Sequence, residues 1–246
     1  MQVIPVVDIK NGVPVHAIAG IRNDYRSIKN SRFDTRSVIA LCNQIISEFE
    51  PTYFYIADLD AIEQGRVNYS LLNELLCLPT HWLLDVGLKT AAALLSLENH
   101  LSQSEHWSAI FGSESLSSME QLELATEKFD ASRIVFSCDF RNGQLIGNQS
   151  VADQPIDSLI TRIVGFGIHR FIMIDLADVG TDQTSLPNLI EKAELDLASI
   201  DLFAGGGIKN QNDLTRFESI GCSGALVATS IHSGEILGQR FLPTDP

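Results

Sequence analysis

Apolar residues along this chain come in eight short runs, at residues 3–7, 53–57, 82–84, 108–111, 134–138, 171–174, 200–204 and 225–228. Each run is too short for a helix and is hydrophobic at consecutive positions, the pattern of a strand covered on both faces. Between them apolar residues recur at helical spacing: 37–41 with Ile45 and Ile46, then 69–78, 90–97, 118–125, 156–164, 186–193 and 212–220. Strand and helix alternate with no linker-like or low-complexity stretch, so the pattern predicts one α/β domain over residues 1–246. Eight such units match the size and rhythm of a (β/α)8 barrel, the TIM barrel. An open doubly wound sheet is the competing architecture.

The polar residues of chemical interest follow directly on the apolar runs. Asp8, Asp58, Asp85, Asp139 and Asp175 each close a strand, and in a barrel those ends open onto one mouth, where active sites are built. A strand-end aspartate also caps helices and anchors loops, so one alone decides nothing; five at one mouth suggest a site.

The chain also echoes itself. Asp8-Ile9-Lys10-Asn11-Gly12 and Asp139-Phe140-Arg141-Asn142-Gly143 share the order Asp, apolar, cation, Asn, Gly. Leu83 to Lys89 aligns with Phe203 to Lys209, and Ala57-Asp58-Leu59 with Ile174-Asp175-Leu176. Two (β/α)4 half-barrel repeats, roughly 1–130 and 131–246, are therefore expected. They put Asp8 and Asp139 on strands one and five, opposed across the mouth. Two facing carboxylates serve as general acid and general base when their surroundings push their pKa values apart. Which is acid and which is base is set by burial and neighbours, so the sequence leaves that open.

Gly205-Gly206-Gly207-Ile208-Lys209 makes a turn without side chains, which lets backbone N–H groups approach a phosphate. The next strand ends in Thr229-Ser230 ahead of Gly234, so Gly206, Gly207, Thr229 and Ser230 are the expected phosphate site. The matching turn in the first half, Asp85-Val86-Gly87, offers one glycine and a carboxylate, which repels phosphate. Gly112 and Ser113 form a small turn where a weaker second anion site is expected. Gly180 and Thr181, after Asp175, are placed beside the pocket, and Asp58 and Asp175 are expected to bind substrate. His16 faces the mouth or serves structure; Trp82 and Trp107 read as wall or core.

Composition narrows the partners. Hydrophobic residues are 45% and charged residues 20%, with mean hydropathy +0.10, which excludes a disordered or fibrous chain. A net charge of -14 opposes binding to phosphate backbones and anionic lipid, so neither nucleic acid nor membrane is an expected partner, whereas a small phosphorylated molecule held locally is. Cys42, Cys77, Cys138 and Cys222 are far apart and read as buried thiols of a reducing compartment. No basic stretch leads into a signal-like segment, and no apolar run reaches the roughly 20 residues that span a bilayer. A cytoplasmic protein is expected. A metal site made from Asp58, Asp85 and Asp175 lacks clustered ligands, and none is expected.

These residues resemble the histidine-biosynthesis sugar-phosphate barrels, ProFAR isomerase and the imidazole-glycerol-phosphate synthase cyclase. The likeness covers nearly the whole chain: residues 3–8 with Gly12, Asp58-Leu59-Asp60, Asp139, Gly180-Thr181 and the 205–209 turn. It implies a half-barrel-repeat fold, a phosphorylated ribosyl-type substrate, and Asp8 and Asp139 as the pair for an Amadori-type aldose-to-ketose rearrangement without metal or redox cofactor. The chain departs from the pattern in three places. Asp85-Val86-Gly87 stands where the isomerase has three glycines, His16 where it has an Arg or the cyclase a catalytic Lys, and Ile174 and Val179 where it has a Thr and an Asp. The resemblance then implies a divergent isomerase-like branch acting on a substrate with one phosphate. Two alternatives stay open: a related lyase or condensing enzyme of C1-carrier coenzyme biosynthesis, and a non-catalytic phosphometabolite-binding protein.

Overall fold

A computed structural model describes residues 1–29, 31–102, 104–181 and 184–238. Its strands are β1 (Gln2–Lys10), β2 (Val13–His16), β3 (Arg26–Ser27), β4 (Tyr53–Asp58), β5 (His81–Asp85), β6 (Trp107–Gly112), β7 (Ile134–Arg141), β8 (Gln144–Leu145), β9 (Arg170–Asp175), β10 (Asp201–Gly205) and β11 (Gly224–Val227). Eight of them run parallel in the ring order β1, β4, β5, β6, β7, β9, β10, β11. β11 pairs back onto β1, with Gln2 opposite Gly224 and Pro5 opposite Val227. That pairing closes the barrel and removes the open-sheet alternative.

Helices cover the outside, and local chemistry sets their ends. Helix Val38–Phe49 starts where the Ser37 side chain accepts from the Ala40 N–H and stops at Glu50 in the left-handed region; its buried face is Val38, Leu41, Cys42, Ile45, Ile46 and Phe49. Helix Gln211–Ser219 begins with a reciprocal capping box between Asn210 and Asp213. Helix Tyr69–Leu75 ends earlier than the apolar spacing predicts, and Cys77, just beyond it, is exposed. The other three cysteines are buried, and all four are free thiols. Among the described residues no helix is long and apolar enough to cross a membrane.

The strand period of two divides the core in two. Ile4, Tyr55, Leu83, Ile110, Val135, Ile172, Phe203 and Leu226, one from each barrel strand, fill the interior. Their sequence neighbours, including Phe54, Trp82, Phe111, Phe136 and Phe171, pack outward against the helices. Trp82 and Trp107 are core residues of this outer layer. Leu83 has no exposed surface, and Leu83→Ala would cost about 2–5 kcal/mol, because the interior cannot collapse onto the hole.

Two hairpins leave the rim, and the apolar pattern does not mark them. β1 turns through Asn11 and Gly12 into β2, and β7 through Asn142 and Gly143 into β8; all four turn residues have positive φ, between 53° and 75°. Two positive φ values in a two-residue loop match the twist of a hairpin, which is why Asn-Gly stands at both. β2 continues into β3, and the segment between them folds over the mouth, where the Ala19 N–H donates to the Val179 carbonyl at 2.7 Å.

Candidate active site

At the C-terminal ends of the barrel strands lies a cavity of about 480 Å³. Strand parity decides which side chains enter it. On β1, Asp8 follows Ile4 and Val6 in step; on β7, Asp139 follows Val135 and Ser137; on β5, Asp85 follows Leu83. Asp8 and Asp139 therefore both line the cavity, on strands four places apart in a ring of eight, so they stand on opposite walls. β5 and β10 are also four places apart and lie on the perpendicular axis. Asp85 thus faces the Gly205–Gly207 turn across the same space.

The electrostatics of the three carboxyl groups are linked. Burial, followed by the charge of Asp85, raises Asp8 to about 7, against the pull of Arg22. Burial also raises Asp139 to about 7; the Ser137 hydroxyl bond opposes this, while Asp85 and Glu114 add to it. Asp139 is fixed by Ser137 Oγ, which donates to Oδ1 at 2.8 Å, and by the Glu114 N–H, which donates to Oδ2 at 3.5 Å. Among the described residues none donates a hydrogen bond to the Asp8 carboxylate. Asp85 is also raised by burial, although the Gly87 N–H donates to its Oδ1 at 3.0 Å and the Tyr55 hydroxyl to its Oδ2 at 2.9 Å.

Gly206, Gly207, Thr229 and Ser230 come together at the other end of the cavity. Gly206 and Gly207 have φ of 106° and 70°, and a Cβ on Gly206 would meet the Asp175 carbonyl oxygen at 3.0 Å, so that position is closed to a side chain. Ser230 Oγ donates to the Ile208 carbonyl and ties the two turns together. Lys209 and Glu235 bring one charge of each sign to this end. Gly180 and Thr181 also line the cavity, and Gly180 sits so close beneath Ala17 that a Cβ there would collide with the overlying segment.

Other expected site residues lie elsewhere, for the same reason of parity. Tyr53, Tyr55 and Ala57 of β4 point inward, so Asp58 points out; it accepts from the N–H groups of Ala61 at 3.1 Å and Asn68 at 3.2 Å, capping helix Leu59–Gln64. Ile172 and Ile174 point inward on β9, so Asp175 points out, where its oxygens hold the N–H groups of Asn142 at 3.1 Å and Gly143 at 2.8 Å and clamp the β7–β8 turn. Neither carboxylate lines the cavity. They are not grouped with Asp85, and the described residues hold no cluster of His, Cys, Asp or Glu suited to a metal.

The second anion site expected at Gly112 and Ser113 is also differently built. Ser113 is fully buried; its N–H donates to the Ser137 carbonyl at 2.8 Å, and its Oγ accepts from the Asp139 N–H at 2.9 Å. Gly112 makes room for a carboxylate, because a Cβ there would lie 3.0 Å from Asp139 Oδ2. His16, on β2, does not line the cavity, and burial lowers its pKa.

Sequence reasoning missed Tyr55, Arg22, Tyr25 and Glu114, all of which line the cavity. Arg22 reaches it from the segment between β2 and β3 and pairs with Glu114, just past β6. Tyr55 has a legible signal, since it stands in step with Ala57 on an inward-facing strand. Arg22 has none, because its position depends on how an irregular segment folds back.

A family model described as histidine biosynthesis protein matches residues 2–237. The chain belongs to that family. Among its relatives, an uncharacterized protein of Methanocaldococcus jannaschii is 29% identical over 234 residues, covering 95% of this chain and 94% of the relative. An isomerase of Streptococcus sanguinis is 25% identical over 241 residues, with 96% and 95% covered. One of Listeria monocytogenes is 25% identical over 244 residues, with the same coverage. The names of both isomerases specify an imidazole-4-carboxamide bearing two phosphoribosyl groups.

Proposed function

We propose that this histidine biosynthesis family member is an aldose–ketose isomerase for a phosphorylated ribosyl-type substrate. The observation that carries the reading is the pair Asp8 and Asp139 on opposite walls of one cavity, both raised to about 7 by burial. Near neutral pH each carboxyl is then partly protonated and partly ionised, so either can serve as the acid or as the base. The protonated member gives its proton to the ring oxygen of an aldosylamine as the C1–O bond opens, leaving an open-chain protonated imine. The ionised member takes the C2 proton and the C2–H electron pair moves toward nitrogen to give an enaminol; return of that proton to C1, with the C2 hydroxyl proton passing to the first carboxylate, completes the ketose and restores both groups. Substrate and product are isomers, so the atoms balance without a co-reactant. The common motif of residues 8–12 and 139–143 supports half-barrel repeats as the origin of this opposition.

The turn at Gly206 and Gly207, with Thr229 and Ser230, is the grip for the substrate phosphate. The isomerase relatives are named for a substrate with two phosphoribosyl groups, but here the opposite end carries Asp85 and a Ser113 already committed to the sheet. A substrate with one phosphate suits this cavity. A second reading, a lyase or condensing enzyme of C1-carrier coenzyme biosynthesis, takes its motivation from Asp85, which stands in the cavity where the isomerase pattern has a glycine turn. Mass spectrometry of the product after incubation with phosphorylated aldosylamines separates the two readings, since isomerisation conserves mass. Asp8→Asn and Asp139→Asn should each lower turnover by about 10²–10⁴-fold while retaining the fold and phosphate binding. Full activity in either variant sinks the assignment.

A further inference from the structure

The cavity has two unlike ends on one axis. At β10 and β11 are a glycine turn, two hydroxyl residues and Lys209; opposite them, at β5, stands Asp85. The Asp85 carboxylate is a built feature. The Tyr55 hydroxyl donates to one oxygen and the Gly87 N–H to the other, so both oxygens of the group are held in place. A carboxylate has about four acceptor positions, and two are used here, leaving acceptor capacity turned toward the cavity. Around Asp85 stand Asp8, Asp139 and Glu114, and the guanidinium that approaches this group, Arg22, is already paired with Glu114. A second phosphate would have to enter this acidic end against four carboxyl groups and a single engaged cation. An N–H donor meets a fixed acceptor there.

We propose that Asp85 is the specificity-determining residue of the site, selecting a substrate whose end opposite the phosphate presents N–H donors, as an amine, amidine or carboxamide does. The proposal deepens the reading above and rests on it for the position of the phosphate. A donor at this end is recognised by the carboxylate itself, and a substrate lacking one leaves a buried acceptor unpaired. Tyr55 acts as a positioning residue, because its hydroxyl sets the direction of the remaining Asp85 lone pairs.

The test is calorimetric titration of the whole protein with four probes: ribose 5-phosphate, aminoimidazole-carboxamide riboside, the monophosphate of that riboside, and a ribose bisphosphate. Wild-type protein should bind the riboside monophosphate about tenfold or more tighter than ribose 5-phosphate, the gain of hydrogen bonds to a charged group. Asp85→Asn should weaken the riboside and its monophosphate by about tenfold and leave ribose 5-phosphate unchanged, which also reports an intact fold. Tyr55→Phe should move the riboside in the same direction by a smaller factor. Equal riboside affinity in wild type and Asp85→Asn, no riboside binding to wild type, or tighter binding of the bisphosphate than of the riboside monophosphate would each overturn the proposal. If the phosphate adds nothing to riboside affinity, the phosphate grip fails instead, and the response of the riboside to Asp85→Asn still judges Asp85.

Discussion

Ser137 and Asp139 stand two residues apart on the same face of β7, and the Ser137 hydroxyl donates to Asp139 Oδ1 at 2.8 Å. The bond favours the ionised carboxylate and opposes the burial that raises it. Ser137→Ala removes the donor and leaves the burial, so Asp139 should titrate higher than in wild type. Carboxyl-carbon NMR titration of Asp139 reads this directly, and the matching limb of the pH–rate profile should move upward with it.

The raised carboxyl groups make stability depend on pH with a definite sign. For Asp8 the ordinary value is 3.8 and the folded value about 7. The folded state therefore holds a proton more tightly than the unfolded chain does, so this contribution is full below pH 3.8 and is lost as pH rises through 7. Asp8→Asn keeps the shape and removes the charge. It should be more stable than wild type at pH 8, by up to about 4 kcal/mol, with the gain vanishing toward pH 4. Melting temperatures of the two proteins across that range provide the check; a gain independent of pH would contradict the burial of this carboxylate.

Two glycines with positive φ should respond differently to alanine. Gly12 has φ 73° and open space where a Cβ would go, so Gly12→Ala should cost about 1 kcal/mol of backbone strain. Gly206 has φ 106° and the Asp175 carbonyl in the way. Gly206→Ala should cost more, about 1–3 kcal/mol, and weaken ribose 5-phosphate by about tenfold, with Gly12→Ala leaving that affinity unchanged. Chemical denaturation and calorimetry on both variants measure the contrast.

Asp58 provides the opposite case, a strand-end aspartate outside the cavity. Asp58→Ala frees the first turn of helix Leu59–Gln64 and should cost about 1–2 kcal/mol, with ribose 5-phosphate affinity as in wild type. A loss of affinity without a loss of stability would place Asp58 in the site after all.

The sequence carried the barrel because eight runs of consecutive apolar residues have no other economical arrangement once helices alternate with them. It carried Asp8 and Asp139 through their shared motif. It did not separate Asp85 from Asp58 and Asp175, although the means were present: Asp85 is two residues from the inward Leu83, while Asp58 and Asp175 are each one residue from the inward Ala57 and Ile174. A step of one residue turns a side chain to the other face of a strand. The hairpin strands β2 and β8 escaped because they are short and paired at the rim, where an Asn-Gly turn is the signal and apolar content is not. Arg22 was beyond reading, since the segment that carries it is placed by contacts such as the one from Ala19 to Val179.

The seam between β1 and β11 joins Gln2–Pro5 to Gly224–Val227, more than 200 residues later in the chain. During synthesis from the N-terminus, one edge of β1 must wait with its backbone groups unpaired until Gly224–Val227 has been made. The cavity residues share that delay, since Asp8 comes with the first barrel strand and Thr229 follows the last. A chain that stops before Gly224 therefore leaves that edge of β1 without its partner and open to pairing with another chain.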